Sequence, residues 1–297
     1  MSFRNLEGAI LTDRLFRIED IYNPWFRLSI ANVKSETKPV DDLTPEQVHQ
    51  IEEEGAVIKP EAEPELKQNT MRIDLHCHSE ASPDSSSPFE EIPDRCVEKG
   101  ITLQAITDHN SIWGAQKLQE IVHAREDIPL RIIVGEEIST TEGELIGLFL
   151  KEKIDPGLTP EETVIEIKKQ GGLVLLPHGF DPLKRWHLRM ESRKRITPSI
   201  DIVETFNSRI SRPRWNRAAV KWAEEQGVPM SAGSDAHTIA DIGNAWVEVP
   251  ARPIDSPDAL LAALQDGVPM GVWTHPVIAF LLKMVDRTRR KVNRWLE

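Results

Sequence analysis

From Met71 onward, short apolar runs alternate with longer amphipathic stretches, and several of the runs are closed by His, Asp or Glu. Short continuous apolar runs read as strands buried on both faces, and their alternation with helical stretches is the pattern of repeated βα units. The spacing predicts strands over 72–75, 103–106, 131–134, 145–150, 173–176, 202–204 and 228–232, with helices between most of them. Two helix starts carry explicit signals. Ser87-Pro88-Phe89-Glu90 supplies a cap, a first-turn Pro and a Glu, with Gly100 as the stop; Thr159-Pro160-Glu161-Glu162 repeats the device ahead of Gly171-Gly172.

The flanks follow other rules. Residues 36–70 hold ten acidic side chains, Glu36, Asp41, Asp42, Glu46, Glu52, Glu53, Glu54, Glu61, Glu63 and Glu65, and are interrupted by Pro39, Pro45, Pro60 and Pro64. This reads as a solvated linker with one short helix near 45–54. Residues 1–35 form an N-terminal extension of open role, in which Trp25, Phe26, Leu28 and Ile30 suit a docking strand. At the other end, 276–297 set Ile278, Leu281, Leu282, Val285, Val292 and Trp295 among Lys283, Arg287, Arg289, Arg290, Lys291 and Arg294, an amphipathic basic helix. The expectation is that its apolar face packs on the main domain with the charges in solvent, in preference to a membrane-surface or RNA contact. The main domain is thus expected over 71–275.

Composition narrows the partners. The 297 residues carry a formal charge of -12, with 36 Lys plus Arg against 48 Asp plus Glu, which argues against a long basic groove for duplex nucleic acid but leaves room for a small phosphate pocket. No apolar run approaches the roughly 20 residues of a membrane span. Cys77 and Cys96 are the only cysteines and no secretory leader pattern opens the chain, so a reducing cytoplasm is expected, with no obligate protein partner.

The candidate chemistry sits where the apolar runs end. His76 and His78 flank Cys77, and residues two apart on an extended chain face the same side, which turns Cys77 the other way, toward the core. Asp108-His109, Glu136-Glu137, His178, and Asp235 with His237 each follow a separate apolar run. In a parallel βα barrel those ends converge on one face. Each residue alone reads equally well as a capping Asp or a satisfied core His; the set reads as a metal cluster. Imidazole with carboxylate and no thiolate suits Mn, Fe or Zn, and the surplus of donors points to two or three divalent ions bridged by a carboxylate. Such ions lower the pKa of bound water, which makes the expected chemistry hydrolysis. The motifs of serine hydrolases, P-loop kinases and Rossmann dehydrogenases are absent from the sequence.

Asp74-Leu75-His76-Cys77-His78-Ser79, Thr107-Asp108-His109-Asn110, Gly135-Glu136-Glu137, Pro177-His178, Glu204-Thr205-Phe206-Asn207 and Gly233-Ser234-Asp235-Ala236-His237 together resemble the PHP family, the polymerase and histidinol phosphatase group of metal-dependent phosphoesterases. The resemblance runs from about Arg72 to Thr274. It implies an α/β fold, a distorted (β/α)7 barrel. It also implies a ligand set: His76, His78, the bridging Glu137 and Asp235 for one metal, Glu137 and His178 for a second, His109 and His237 with Asp84 for a third. Asp84, in Ser82-Pro83-Asp84-Ser85-Ser86, also reads as an ordinary turn residue. Glu144 stands where many members place a further His, so it either replaces that ligand by an oxygen or points outward.

The substrate expected on this resemblance is a small phosphate ester, a nucleotide or an oligonucleotide end, cleaved by in-line attack of a metal-bridging hydroxide. Arg209, Asn207 and Arg185 are the expected substrate contacts, Arg209 by a bidentate grip on phosphate, and Asp108 is the expected proton donor to the leaving oxygen. Lys184 and Arg189 stand beside Arg185, where a solvated face is an equal reading. The alternatives are an amidohydrolase-type C–N hydrolase using the same cluster, and a non-catalytic metal-stabilised module.

Overall fold

The computed structural model describes residues 70–184 and 186–296, so the expected N-terminal extension, almost all of the acidic linker and Arg185 lie outside the described residues. Among them the chain runs β1 (Thr70–Asp74), α1 (Ile92–Glu98), β2 (Ile101–Ile106), α2 (Trp113–His123), β3 (Arg131–Thr140), β4 (Gly143–Leu148), α3 (Pro160–Lys169), β5 (Leu173–Leu176), α4 (Met190–Ile196), β6 (Ile202–Asn207), α5 (Pro213–Gln226), β7 (Met230–Gly233), β8 (Ala245–Pro250), α6 (Pro257–Gln265), β9 (Val268–Gly271) and α7 (Pro276–Leu296).

The nine strands form one sheet in the order β7-β6-β5-β4-β3-β2-β1-β8-β9. Beyond the ladder, Leu75 donates to the Ala232 carbonyl at 3.2 Å, Asp235 to the His76 carbonyl at 2.8 Å and His78 to the Ala236 carbonyl at 3.0 Å, with Cys77 bridging Ala236 in parallel. These bonds join the end of β1 to the end of β7 and close β1–β7 into a barrel, leaving β8 and β9 on its flank. The barrel is not wholly parallel. β4 runs antiparallel to β3 and β5, because only Thr141 and Glu142 separate β3 from β4 and so short a link permits only a hairpin. The pairs β1/β8 and β8/β9 are antiparallel as well.

Two of the expected signals met different fates. Thr159 caps α3 as a full capping box, its hydroxyl accepting from Glu162 N at 3.2 Å and Glu162 Oε2 accepting from Thr159 N at 2.9 Å. Ser87 caps nothing: α1 starts at Ile92, four residues beyond the expected start. Pro93 near its beginning has no N–H to give to the carbonyl of Phe89, so a helix begun at Pro88 could not continue through it. The apolar interior of the barrel is built by Ile73, Leu75, Leu103, Ala105, Ile133, Ile146, Leu148, Leu175 and Ala232, all buried. No helix among the described residues is long and apolar enough to cross a membrane.

Candidate metal centre

His76 and His78 leave the end of β1 on the same side, and their Nε2 atoms stand 3.2 Å apart. Their outer nitrogens decide what lies between them. His76 Nδ1 bonds Glu204 Oε1 at 3.0 Å, and a carboxylate there can only accept. His78 Nδ1 bonds Ser82 Oγ at 3.1 Å, and that hydroxyl spends its own proton on Asp108 Oδ1 at 2.9 Å. Both protons are therefore on Nδ1 in the neutral rings, and both Nε2 lone pairs face inward. Glu137 Oε2, at 3.5 and 3.3 Å from them, and Asp235 Oδ1, at 3.7 and 3.5 Å, point to the same place. Four acceptors turned on one point repel unless a cation lies among them, so the donor set fits a divalent metal.

The remaining ligand candidates gather around this point. Glu137 spans the cluster: Oε2 is 3.2 Å from His109 Nδ1 and Oε1 is 3.0 Å from His178 Nε2. Asp84 Oδ2 lies 2.8 Å from His237 Nε2 and Oδ1 lies 3.7 Å from His109 Nε2. Glu144 turns inward, with Oε1 3.6 Å from His109 Nδ1. Four donor triplets can each surround one ion, their atoms within 4.8 Å of one another: His76, His78 and Asp235; His76, Glu137 and His178; His78, His109 and His237; and His109, Glu137 and Glu144. The nine residues expected as ligands thus come together, although β4, which carries Glu144, runs against the barrel direction.

Burial and crowding set the electrostatics. Burial opposes charge on His76, but the carboxylates of Glu204, Glu137 and Asp235 together raise its pKa well above the imidazole range. Burial likewise works against ionised Glu137 and Asp235; His76 and His109 hold the first well below the carboxylate range, and Lys184 and His76 the second. Glu144 moves the other way, up to about 10, through burial and the charge of Glu137. His237 is pushed down to about 3 by burial and by the neighbouring His78 and Arg209. His178 and Asp235 hold φ values of 28° and 51°, left-handed conformations that non-glycine residues adopt at a cost of about 1–3 kcal/mol each.

Three expectations for the site change in the structure. Asp108 is fully buried and its oxygens are taken up: Oδ1 accepts from Ser79 N and Ser82 Oγ, and Oδ2 accepts from Ser79 Oγ at 2.6 Å. A carboxylate so occupied is a clamp on the His78 loop and not a donor to substrate. Asn207 is also buried, its amide donating to Glu204 Oε2 at 3.0 Å and Asp235 Oδ2 at 3.3 Å, so it braces these two carboxylates where substrate contact was expected. Along 276–286, where its side chains are described, the C-terminal helix does not turn its apolar face inward. Ala279 is buried, and Lys283 Nζ reaches Asp84 Oδ2 at 3.0 Å. Arg209 does reach the site, its Nη1 donating to the Asp235 carbonyl at 3.1 Å, and Lys184 donates to Asp235 Oδ2.

Glu204 is the residue that reading by strand ends left without a role. It is buried, fixes His76 through Oε1 and accepts the backbone N–H of His178 through Oε2 at 2.7 Å. An acidic residue inside the apolar run Ile202-Val203-Glu204-Thr205-Phe206 was the available signal. Gly233 makes this packing feasible, since a Cβ there would lie 2.2 Å from Glu204 Oε1 and 2.3 Å from His76 Cβ.

A closed α/β barrel whose strand ends assemble imidazoles and carboxylates around cation positions defines a barrel-type metal-dependent hydrolase. The PHP domain model matches residues 74–192 and the PHP-associated model residues 213–269. The chain belongs to the PHP family. It is 38% identical over 194 residues to an uncharacterized protein of Methanocaldococcus jannaschii, MJ0417, covering 64% of this chain and 75% of that one. Over 128 residues it is 31% identical to a 5'-3' exoribonuclease of Haemophilus influenzae, 39% of this chain and 45% of the relative. Among solved structures it is similar to a two-domain protein of Bacteroides vulgatus containing a predicted PHP-like metal-dependent phosphoesterase, with a TM-score of 0.54 and 19% identity over 74% of this chain and 70% of that one. That likeness is one of fold.

Proposed function

We propose that this protein hydrolyses a phosphate ester, a small phosphorylated metabolite, a nucleotide or an oligonucleotide end. The observation that carries the reading is the placement of Arg209 and Lys184 on Asp235, so that two cationic side chains border the convergent His and carboxylate donors. An amide substrate needs no such cations; a phosphoryl group, which gathers negative charge as it is attacked, does. His76, His78, Glu137 and Asp235 would hold the first of two or three divalent ions (Mn, Fe or Zn), Glu137 and His178 with Glu144 would serve a second, and Asp84, His109 and His237 a third. When bound, these ions supply Lewis acidity and lower the pKa of coordinated water toward neutrality.

The chain's own residues do the rest. Glu204 and the Ser82–Asp108 pair keep the Nδ1 protons of His76 and His78 outward, so that both Nε2 atoms stay available as ligands. Arg209 binds a non-bridging phosphate oxygen from the half-buried rim, and Lys184 offsets the second charge. The Haemophilus relative places oligonucleotide ends among the substrates to try. Purified protein with added Mn(II) should cleave p-nitrophenyl phosphate or its bis-p-nitrophenyl analogue in a chelator-sensitive manner. Preference for the first indicates a phosphomonoesterase and for the second a phosphodiesterase; failure on both removes the phosphoester reading.

A further inference from the structure

Helix α7 meets the metal centre with its polar side. Residues 279, 283 and 286 recur on one helix face: Ala279 is buried, Lys283 Nζ lies 3.0 Å from Asp84 Oδ2, and Asp286 accepts from Ser86 Oγ. Val277, Phe280, Leu281, Met284 and Val285 are exposed. Hydrophobic burial alone would seat such a helix the other way round. The contacts that orient it are polar, and they end on Asp84 and Ser86 in the loop after β1.

The oxygen that Lys283 holds is a contested one. His237 Nδ1 bonds the Asp235 carbonyl at 2.8 Å, and a carbonyl only accepts, so the proton of the neutral ring is on Nδ1. His237 Nε2 thus directs a lone pair at Asp84 Oδ2 across 2.8 Å. Two lone pairs at that distance call for a shared cation, and the ammonium of Lys283 lies 3.0 Å from that same oxygen. Asp84 Oδ1 is buried, forms no hydrogen bond and faces His109 Nε2.

We infer that Lys283 belongs to the metal centre as a positioning residue, sharing the Asp84 carboxylate with a divalent ion, so that α7 docking and ion binding at Asp84, His109 and His237 oppose one another. The inference rests on reading those three residues as one metal position. Opposition is reciprocal: whatever the ion costs α7 in docking, α7 costs the ion in affinity. A monovalent ammonium beside the carboxylate repels a divalent ion, and the repulsion ends when Lys283 withdraws.

The test uses the full chain, Mn(II) calorimetry, and amide hydrogen exchange of α7. Lys283→Met should bind its weakest Mn(II) about tenfold more tightly than wild type, whereas Lys283→Arg should not. In wild type, Mn(II) should speed exchange along α7. Equal or weaker Mn(II) binding by Lys283→Met, or slower α7 exchange with Mn(II), overturns the inference. Asp84→Asn separates the two levels. If it loses one Mn(II) while Lys283→Met changes nothing, the metal position stands and the inference alone falls; if Asp84→Asn loses none, both fall.

Discussion

Ile73 on β1 and Leu75 just past its end are fully buried in the apolar barrel interior, while His76 and His78, next along the chain, are equally buried and face carboxylates. The same change occurs on β3, from Ile133 to Glu137, and at the end of β7, from Ala232 to Asp235. The lower interior is packed by apolar side chains. The upper end concentrates partnered acceptors, shifted pKa values and two left-handed backbone positions. One region holds the fold together; the other is held by it.

The contrast breaks most visibly at Asp235. Asp235→Asn should cut metal-dependent turnover by roughly a thousandfold or more, since it removes charge from the first metal position, while circular dichroism reports an intact fold. A fold lost together with activity would mean that the site end also carries the stability. The reverse experiment is Leu75→Ala, which should destabilise the protein by about 2–5 kcal/mol in denaturant unfolding, with turnover per folded molecule unchanged. Glu204→Gln lies on the boundary between the two regions. It should weaken metal binding about 10–100-fold, read by Mn(II) titration, because the partner that orients His76 loses its charge.

The smallest effect separates two neighbours on β3. Glu137 faces the candidate metal centre, whereas Glu136 faces the other way, accepts from Ile154 N at 2.9 Å, and is raised by burial to about 7 from an ordinary 4.5. Between those values folded Glu136 keeps a proton that the unfolded chain has released, so its contribution to stability falls as pH rises across that window. Glu136→Gln should flatten the pH dependence of unfolding there, measured with chelator present; an unchanged slope would mean that Glu136 ionises normally in the fold.

What could be read in the sequence was local or periodic. The Thr159 capping box depends on four consecutive residues, and β5 falls where its apolar run lies, at 173–176. His76 and His78, His109, Glu137, His178, and Asp235 and His237 were legible as candidate ligands because they follow apolar runs whose ends meet, whereas Asp84 and Glu144 came only from the family resemblance. Other features depend on partners distant in sequence. β8 and β9 fall outside the βα alternation, and β8 finds its place only by pairing antiparallel with β1. Asp108 and Asn207 have the chemistry of catalytic residues, and only their partners at Ser79, Ser82, Glu204 and Asp235 show them to be braces. In the sequence Lys283 is like any other helix charge; only the fold sets Asp84, 199 positions away, beside it.

The missing side chain at Gly233 makes two matters inseparable. β7 can approach β1 because nothing stands between His76 and Glu204, and this one seam both closes the barrel and aims His76. Even alanine would require the seam to part. Loops carry most variation in barrels of this kind, but at this position every side chain meets His76 and Glu204 at once: a library randomised at residue 233 should return chiefly glycine among variants that still bind metal.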